Sequence, residues 1–326
     1  MIALVAATLG ACSSEDNEPV PQQPATQQPS TQQARPLTIT VSETPFINPD
    51  DQSGSRGTRA AITNTSTLSA FKMDYVYTLG ETRYTNESAF TASKNGEGQW
   101  KMTDGVWPDV DGDKTVYWYA YTNNGYGSVS FNKGSDLSGA YLSFSVYGTP
   151  NNQNDLLVAN ISDTWAHSGG NLSLTFDHAC AALRFLVKKA INLDAYTLSV
   201  TNIELCNVKN GGDYFFSTST WSNLSGAASY TLFTGSSKTL PSNEYEELSQ
   251  GLAGPYLFLI PQTLTPWDPS EALSNTYLEI SCTISGSEYI GYIPFGFELE
   301  KGYQYDVKIN IGKNSLYKSD GNLIIV

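Results

Sequence analysis

The sequence has little charge and few of the residue types on which most catalytic sites depend. Charged side chains make up 15% of its 326 residues, histidine occurs twice and cysteine four times. Acidic residues outnumber basic ones, and the formal net charge is −14. A chain of this charge lacks the basic surface that binds nucleic acid or an anionic membrane face, so both partners are excluded.

Catalytic and metal-binding motifs are absent as well. The sequence contains no HExxH, no GxSxG and no GxxxxGK[ST]. Of the two histidines, His178 fits a strand end or a core better than a general base. Asp109–Asp113 resembles the start of a calcium loop, but Gly and Glu are missing from the required positions, which favours an acidic turn. We therefore expect no enzyme activity, metal or cofactor. One alternative stays open, a catalytic pair of carboxylates that are distant in sequence and meet only in the folded protein.

Three of the cysteines lie inside apolar strand patterns without CxxC spacing. They are Cys180, Cys206 and Cys282. An odd number cannot form a complete disulfide framework, so we predict buried free thiols.

Helical periodicity is not sustained anywhere, whereas apolar and polar residues alternate along many short segments. The clearest are 37–41, 116–121, 142–146, 277–284 and 303–311. Such a pattern predicts an all-β fold built from sandwiches or barrels. The buried phase shifts by one residue near 177–179, which requires a bulge or a tight bend. We place a domain boundary shortly afterwards, giving an N-terminal domain 37–192 and a C-terminal domain 193–326.

The first 36 residues read as an export signal and a tether. Met1–Ala11 is apolar but too short to span a bilayer, and it suits the core of a secretory signal. Residues 9–12 (LGAC) resemble the lipobox of bacterial lipoproteins, which predicts lipidation at Cys12. The acidic residues that follow resemble the export signal of surface lipoproteins in Bacteroides-like bacteria. Residues 13–36, rich in Pro and Gln, form a disordered tether.

A polar, Gly-rich segment at 49–59 separates the first strand from the rest of the chain. It contains Arg56 and Arg59, and we expect it to be an exposed loop that proteases can reach. A solvated surface loop is the simpler interpretation of the same residues.

Several segments in this order resemble the fimbrillin family, the surface fimbrial subunits and anchors of Bacteroides-like bacteria. They follow the lipobox, the tether and the Arg-containing loop. The segments are RGTRA at 56–60, VYWYAY at 116–121, FDHACAALRF at 176–185, YLFLIPQT at 256–263 and KGYQY at 301–305.

The resemblance implies a fold and an assembly mechanism. The fold would be two tandem transthyretin-like β-sandwich domains. The protein would be a structural or adhesive subunit, stalk or tip, of fimbriae on the cell outer membrane, anchored there by lipid including palmitate. Its partners would be other fimbrial subunits, an Arg-specific protease and an unidentified surface ligand.

The same resemblance assigns roles to particular residues. The strand that carries Leu37, Ile39 and Val41 would cover an apolar groove of the first domain and would leave after cleavage. The protease would cut after Arg59, with Arg56 as second choice, so that 37–59 is removed. A strand from another subunit would then fill the groove. The apolar residues at the end of the chain are a candidate donor strand: Leu323, Ile324, Ile325 and Val326.

An alternative is a surface lipoprotein that binds or degrades glycans. It rests on the 20 Tyr and 6 Trp residues, because flat rings stack on sugar faces. Alternating tyrosines also cover the outer face of any sheet, which explains most of them without a ligand. The tryptophans near loops are the exceptions: Trp107, Trp165, Trp221 and Trp267.

Overall fold

The structure is a computed structural model, and it describes residues 35–47, 68–122, 128–134, 139–247, 256–312 and 316–318. The described residues all belong to one compact unit. The strands of the first half are β1 Thr38–Glu43, β2 Ala70–Leu79, β3 Thr82–Thr85, β4 Phe90–Lys94, β5 Trp100–Thr103, β6 Val116–Tyr121, β7 Ser128–Asn132, β8 Tyr141–Ser145, β9 Leu157–Asp163 and β10 Asn171–His178. The later strands are β11 Ala181–Lys189, β12 Leu198–Val208, β13 Gly211–Phe215, β14 Thr220–Ser225, β15 Ala228–Thr239, β16 Glu246–Glu247, β17 Leu257–Leu259, β18 Tyr277–Ile284, β19 Ser287–Pro294, β20 Gln304–Ile311 and β21 Leu316–Lys318.

Helix is scarce in the described part of the chain. A four-residue helix, α1, covers Trp165–Ser168, and 3-10 turns cover Pro150–Asn152 and Ile191–Leu193. None of the described helices has the length and apolar composition needed to cross a membrane. The described residues are mostly β-strand, which confirms the predicted β class of the fold.

The described strands form four sheets. Sheet I has eight strands in the order β1-β10-β9-β6-β2-β4-β5, with β3 paired to β2. Sheet II has the order β14-β13-β8-β7, and sheet III has the order β15-β12-β18-β19-β21. Sheet IV has the order β16-β11-β17, with β20 paired in parallel to β11. The boundary near residue 192 stays a prediction, and sheets II and IV each pair strands from both sides of it.

The strand patterns read from the sequence recur in the structure. Both β6 and β18 have the predicted bounds. The turn from β18 to β19 has two residues, Ser285 and Gly286, with φ of 47° and 88°. Positive φ at both positions is what the tight hairpin turn requires, because its twist matches that of the two strands.

Sheet I is buried on both faces around β6, which explains why β6 is apolar almost throughout. Val116, Trp118 and Ala120 belong to a small core, whereas Tyr119 and Tyr121 belong to a large core shared with sheets II, III and IV. The small core matters for the site because one of its walls is β1. Its largest fully buried side chains are Phe71, Met73, Trp118, Leu172, Leu174 and Phe176.

The phase shift near 177–179 marks the point where the chain changes sheets. β10 ends at His178 in sheet I, and β11 begins at Ala181 in sheet IV. The residues between them, Ala179 and Cys180, are fully buried. Cys180, Cys206 and Cys282 are free and buried, as predicted.

Candidate functional site

β1 lies at one edge of sheet I and pairs in parallel with β10. The register runs from Thr38 opposite Asn171 to Glu43 opposite Phe176. Backbone bonds continue past both ends, from Thr38 N to Gly170 O at 2.9 Å and from Thr44 N to Phe176 O at 2.8 Å. Among the described residues, β10 pairs with β9 only through Asp177 and His178. Most of the β10 ladder is therefore supplied by β1.

The side chains of β1 alternate between the small core and solvent. Leu37, just before the strand, is 7% exposed, and Ile39 and Val41 are half-buried against the same core. The outward side chains form polar pairs with β10, with Thr40 Oγ1 donating to Ser173 Oγ at 2.9 Å. The apolar face gives β1 its binding energy, because exposed polar pairs contribute little net stability.

The start of the segment is held by a second backbone contact. Leu37 N donates to Gly105 O at 3.2 Å, and Trp107 N donates to Arg35 O at 2.8 Å. The Arg35 guanidinium donates to Val110 O at 2.9 Å and lies 5.4 Å from the centroid of the Trp165 ring. The residues before β1 are thus fixed on the side opposite to β10.

The end of the segment contacts sheet IV. Ile47 N donates to Gly302 O, and Gln304 N donates to Ile47 O, both at 2.8 Å. The Phe46 ring stacks on His178 with centroids 3.6 Å apart and an interplanar angle of 25°. Residues 35–47 therefore contact both sheet I and the beginning of β20.

Beneath Phe46 lies a buried polar cluster. His178 Nδ1 bonds to Asp155 Oδ2, and their side chains are 1% and 8% exposed. Burial raises the pKa of Asp155, although the hydrogen bond with His178 opposes the shift. Burial also raises the pKa of the adjacent Cys180 thiol. Within the described residues, His178 Nε2 and Asp155 Oδ1 have no hydrogen-bond partner.

Residues 35–47 close an apolar groove. The β10 side chains beside β1 are Leu172, Leu174 and Phe176, which are at most 2% exposed with β1 in place. Without β1, these side chains and the β10 backbone would face water, which is unfavourable for both.

The predicted site residues fall into two groups. Leu37, Ile39 and Val41 lie on the β1 edge as described above, whereas their removal stays a prediction. The remaining predicted residues lie outside the described ones: Cys12, Arg56, Arg59, Leu323, Ile324, Ile325 and Val326.

The other candidate groups are used in packing. Trp107 is 3% exposed, and Trp165, Trp221 and Trp267 are half-buried, so none of the four is an exposed platform. Trp221 Nε1 donates to Ala179 O at 2.7 Å. Within the described residues, no group of three or more His, Cys, Asp or Glu is placed to hold a metal.

Sequence reasoning missed the contacts at both ends of the segment. Phe46 and Ile47 form an isolated apolar pair between the first strand and the Arg-containing loop. This pair is the sequence feature that indicates a contact at the end of the segment. The predicted tether 13–36 includes Arg35, which is the first described residue and contacts Val110 and Trp165.

Comparisons with known proteins bear on the fold and on the sequence separately. No curated protein matches the chain. A solved fimbrial protein from Bacteroides vulgatus matches with a TM-score of 0.54 and 17% identity, covering 86% of this chain and 98% of that one. The likeness is one of fold. Two cell adhesion proteins, from Parabacteroides distasonis and Bacteroides ovatus, match with TM-scores of 0.48 and 0.44 and identities of 9% and 15%. The first match covers 90% of this chain and 92% of the other, and the second covers 90% and 99%.

The sequence itself also matches a family description over most of its length. Residues 56–323 match the family described as fimbrillin-like, and the match begins C-terminal to β1. The chain belongs to the fimbrillin-like family.

Proposed function

We propose that this protein is a structural or adhesive subunit of surface fimbriae that assembles by exchange of its first strand. In the precursor, residues 35–47 cover the groove beside β10. An Arg-specific protease cuts after Arg59, or after Arg56 as second choice, and the segment leaves. A donor strand from a neighbouring subunit then pairs with β10 and fills the groove.

The observation that carries this proposal is the position of β1. It is an edge strand, it supplies most of the ladder of β10, and its apolar side chains complete the small core. Both candidate arginines lie between β1 and β2 in the chain. A single cut at either arginine therefore breaks the covalent link between β1 and the other strands of sheet I. The family match starting at residue 56 is consistent with a mature chain that begins near this point.

After β1 leaves, a groove filled by a second strand is lower in free energy than an open one. Burial of apolar area is worth about 25 cal/mol per Å², so an open groove flanked by an unpaired strand edge binds a complementary strand strongly. The apolar residues Leu323–Val326 are the candidate donor in this chain. Deletion of residues 323–326 tests this assignment directly.

We further propose that Cys12 carries the lipid that anchors the precursor to the outer membrane. The signal sequence 1–12 precedes it, and the Pro- and Gln-rich residues 13–36 space the folded part from the membrane surface. We also propose that 37–192 and 193–326 are two transthyretin-like β-sandwich domains. Sheet I uses strands from the first range and sheet III strands from the second, which supports this division.

Cleavage is tested with the full chain and an Arg-specific protease. We expect mass spectrometry to find a new N-terminus at Ala60, and at Gly57 in the Arg59→Ala variant. Arg83→Lys serves as the substitution outside the loop, because lysine keeps a charged donor near the Lys133 and Gly134 carbonyls that Arg83 contacts. Arg184→Ala is less suitable because it would leave the buried carboxylate of Asp306 without its partner. Intact native protein after prolonged incubation would refute the processing step.

Assembly is tested with the cleaved protein. We expect it to form oligomers in which a second chain protects the β10 amides from hydrogen exchange, whereas the uncut chain stays monomeric. Deletion of 323–326 should prevent these oligomers if those residues are the donor. Cleavage that releases residues 35–47 without any oligomer, with or without added partner subunits, would refute strand exchange.

A further inference from the structure

A groove between sheet I and the residues that follow β13 is distinct from the β1 edge. Its floor is formed by Tyr117 and Tyr119 of β6 and by their neighbours on β9, where Tyr117 pairs with Ser162 and Tyr119 pairs with Asn160. Directly opposed residues of antiparallel strands present their side chains on the same face. The two tyrosines, the serine and the amide therefore form one patch.

The wall of the groove comes from another sheet. Phe216 and Ser217, which follow β13 of sheet II, stand over the patch and enclose about 300 Å³ with it. A volume of this size lies at the lower end of the range for small-molecule sites, and it suits one or two sugar rings.

The aromatic part of the groove is fixed by packing. The Tyr119 ring lies 4.8 Å from Phe216 and 5.5 Å from Phe131, centroid to centroid. Burial raises the pKa of Tyr119 to about 12, so its hydroxyl stays protonated at neutral pH. Tyr119 and Phe216 are 4% and 3% exposed, so they form the buried base of the groove, and half-buried Tyr117 is the ring left for a ligand. A rigid site of this kind loses little entropy when a ligand packs on it.

The polar part of the groove is exposed and uncharged. Asn160, Ser162 and Ser217 line it, and all three are exposed. An amide and hydroxyls can each donate and accept, which matches the hydroxyl groups of a sugar. Among the lining residues there is no Asp, Glu, Lys or Arg, so the groove has no partner for a charged ligand.

We propose that this groove binds a neutral hexose unit, or two linked units, of a glycan chain. The exposed part of the Tyr117 ring contacts the apolar face of the sugar, and Asn160, Ser162 and Ser217 bond its hydroxyls. The lining residues offer no carboxylate, whereas glycoside hydrolysis uses two, so the groove binds without cleaving. The proposal is independent of strand exchange, because none of the lining residues belongs to 35–47.

The test is a titration of the full chain with sugars, in which ligand-observed NMR measures the binding. Lactose and N-acetyllactosamine represent animal glycans, maltotriose and cellotriose represent polysaccharides, and sialic and glucuronic acids represent charged sugars. We expect saturable binding of the neutral sugars and no binding of the acids. The neutral pair that binds more tightly shows whether the ligand comes from animal glycans or from polysaccharides. Binding of no neutral sugar, or tighter binding of an acid, would overturn the proposal.

Variants locate the binding in this groove. Asn160→Ala and Tyr117→Ala should each weaken binding about fivefold to tenfold, consistent with one lost contact. Ser217→Trp, at an exposed turn position, should block the groove entirely. The matched controls are Asn275→Ala and Tyr84→Ala, exposed residues outside the groove, which should leave binding unchanged. Neutral-sugar binding that survives Ser217→Trp in a folded protein would place the site elsewhere and refute the assignment.

Discussion

Replacing Leu37 with alanine tests whether the apolar face of β1 holds the strand in place. The side chain is 7% exposed and belongs to the small core, with Phe71, Trp118 and Phe176 among its members. Truncating a buried leucine costs about 2–5 kcal/mol, and a position at the start of an edge strand should relax well, which favours about 3 kcal/mol. The matched control is Thr40→Ala on the same strand. Its exposed bond to Ser173 is worth about 0.5 kcal/mol.

Hydrogen exchange measured by mass spectrometry separates local from global effects. A loss of about 3 kcal/mol in the docking of β1 should speed exchange of the paired β10 amides about 100-fold, since each 1.4 kcal/mol is tenfold. Sheet III should exchange as before, because it shares no residue with the small core. If Leu37→Ala and Thr40→Ala gave the same β10 exchange, the apolar face would not be what holds β1, and the reasoning would fail.

Three further predictions concern the rest of the fold. Asp306→Asn should destabilise the protein by about 2–3 kcal/mol in urea unfolding, because it leaves the Arg184 guanidinium of β11 without its bidentate partner. The control is Lys308→Ala, an exposed position on the same strand as Asp306, which should cost less than about 0.5 kcal/mol. Burial raises the pKa of Asp74 above 3.8, although the hydrogen bond that Tyr121 donates to Asp74 opposes the shift. The stability that Asp74 contributes is therefore complete below pH 3.8, where its carboxyl is protonated, and is lost as the pH rises through the folded-state pKa. Asp74→Asn should therefore match the parent at low pH and exceed it in unfolding free energy at neutral pH, and an equal pH dependence in both would contradict this. The buried thiols should resist iodoacetamide in the native protein and react after unfolding, because burial raises the pKa of each: Cys180, Cys206 and Cys282.

The sequence predicted strands best where one face is buried and the other is not. The bounds of β18 follow from strict alternation over Tyr277–Ile284, and the Ser285–Gly286 turn ends it. The phase shift near residue 178 predicted a bulge or a tight bend. It is in fact the passage from sheet I to sheet IV, which a local pattern cannot distinguish from a bulge.

The candidate site was only partly predictable. Leu37, Ile39 and Val41 were identified from their alternation, but their partner was not, because any apolar strand edge would satisfy the same pattern. Phe46 and His178 are 132 positions apart in the chain, and nothing in either local sequence indicates that their rings stack. The groove beside Tyr117 was likewise invisible, since its wall belongs to a different sheet.

The sequence by itself determined the all-β class, the buried free thiols and an isolated first strand. These properties depend on whether each residue is buried or exposed, and the period of apolar residues records that directly. Only the tertiary structure decided that β1 pairs with β10, that Phe46 covers His178 and that two sheets enclose a groove. Such contacts depend on which distant segments pack together, and many arrangements of the same strands satisfy the same local alternation.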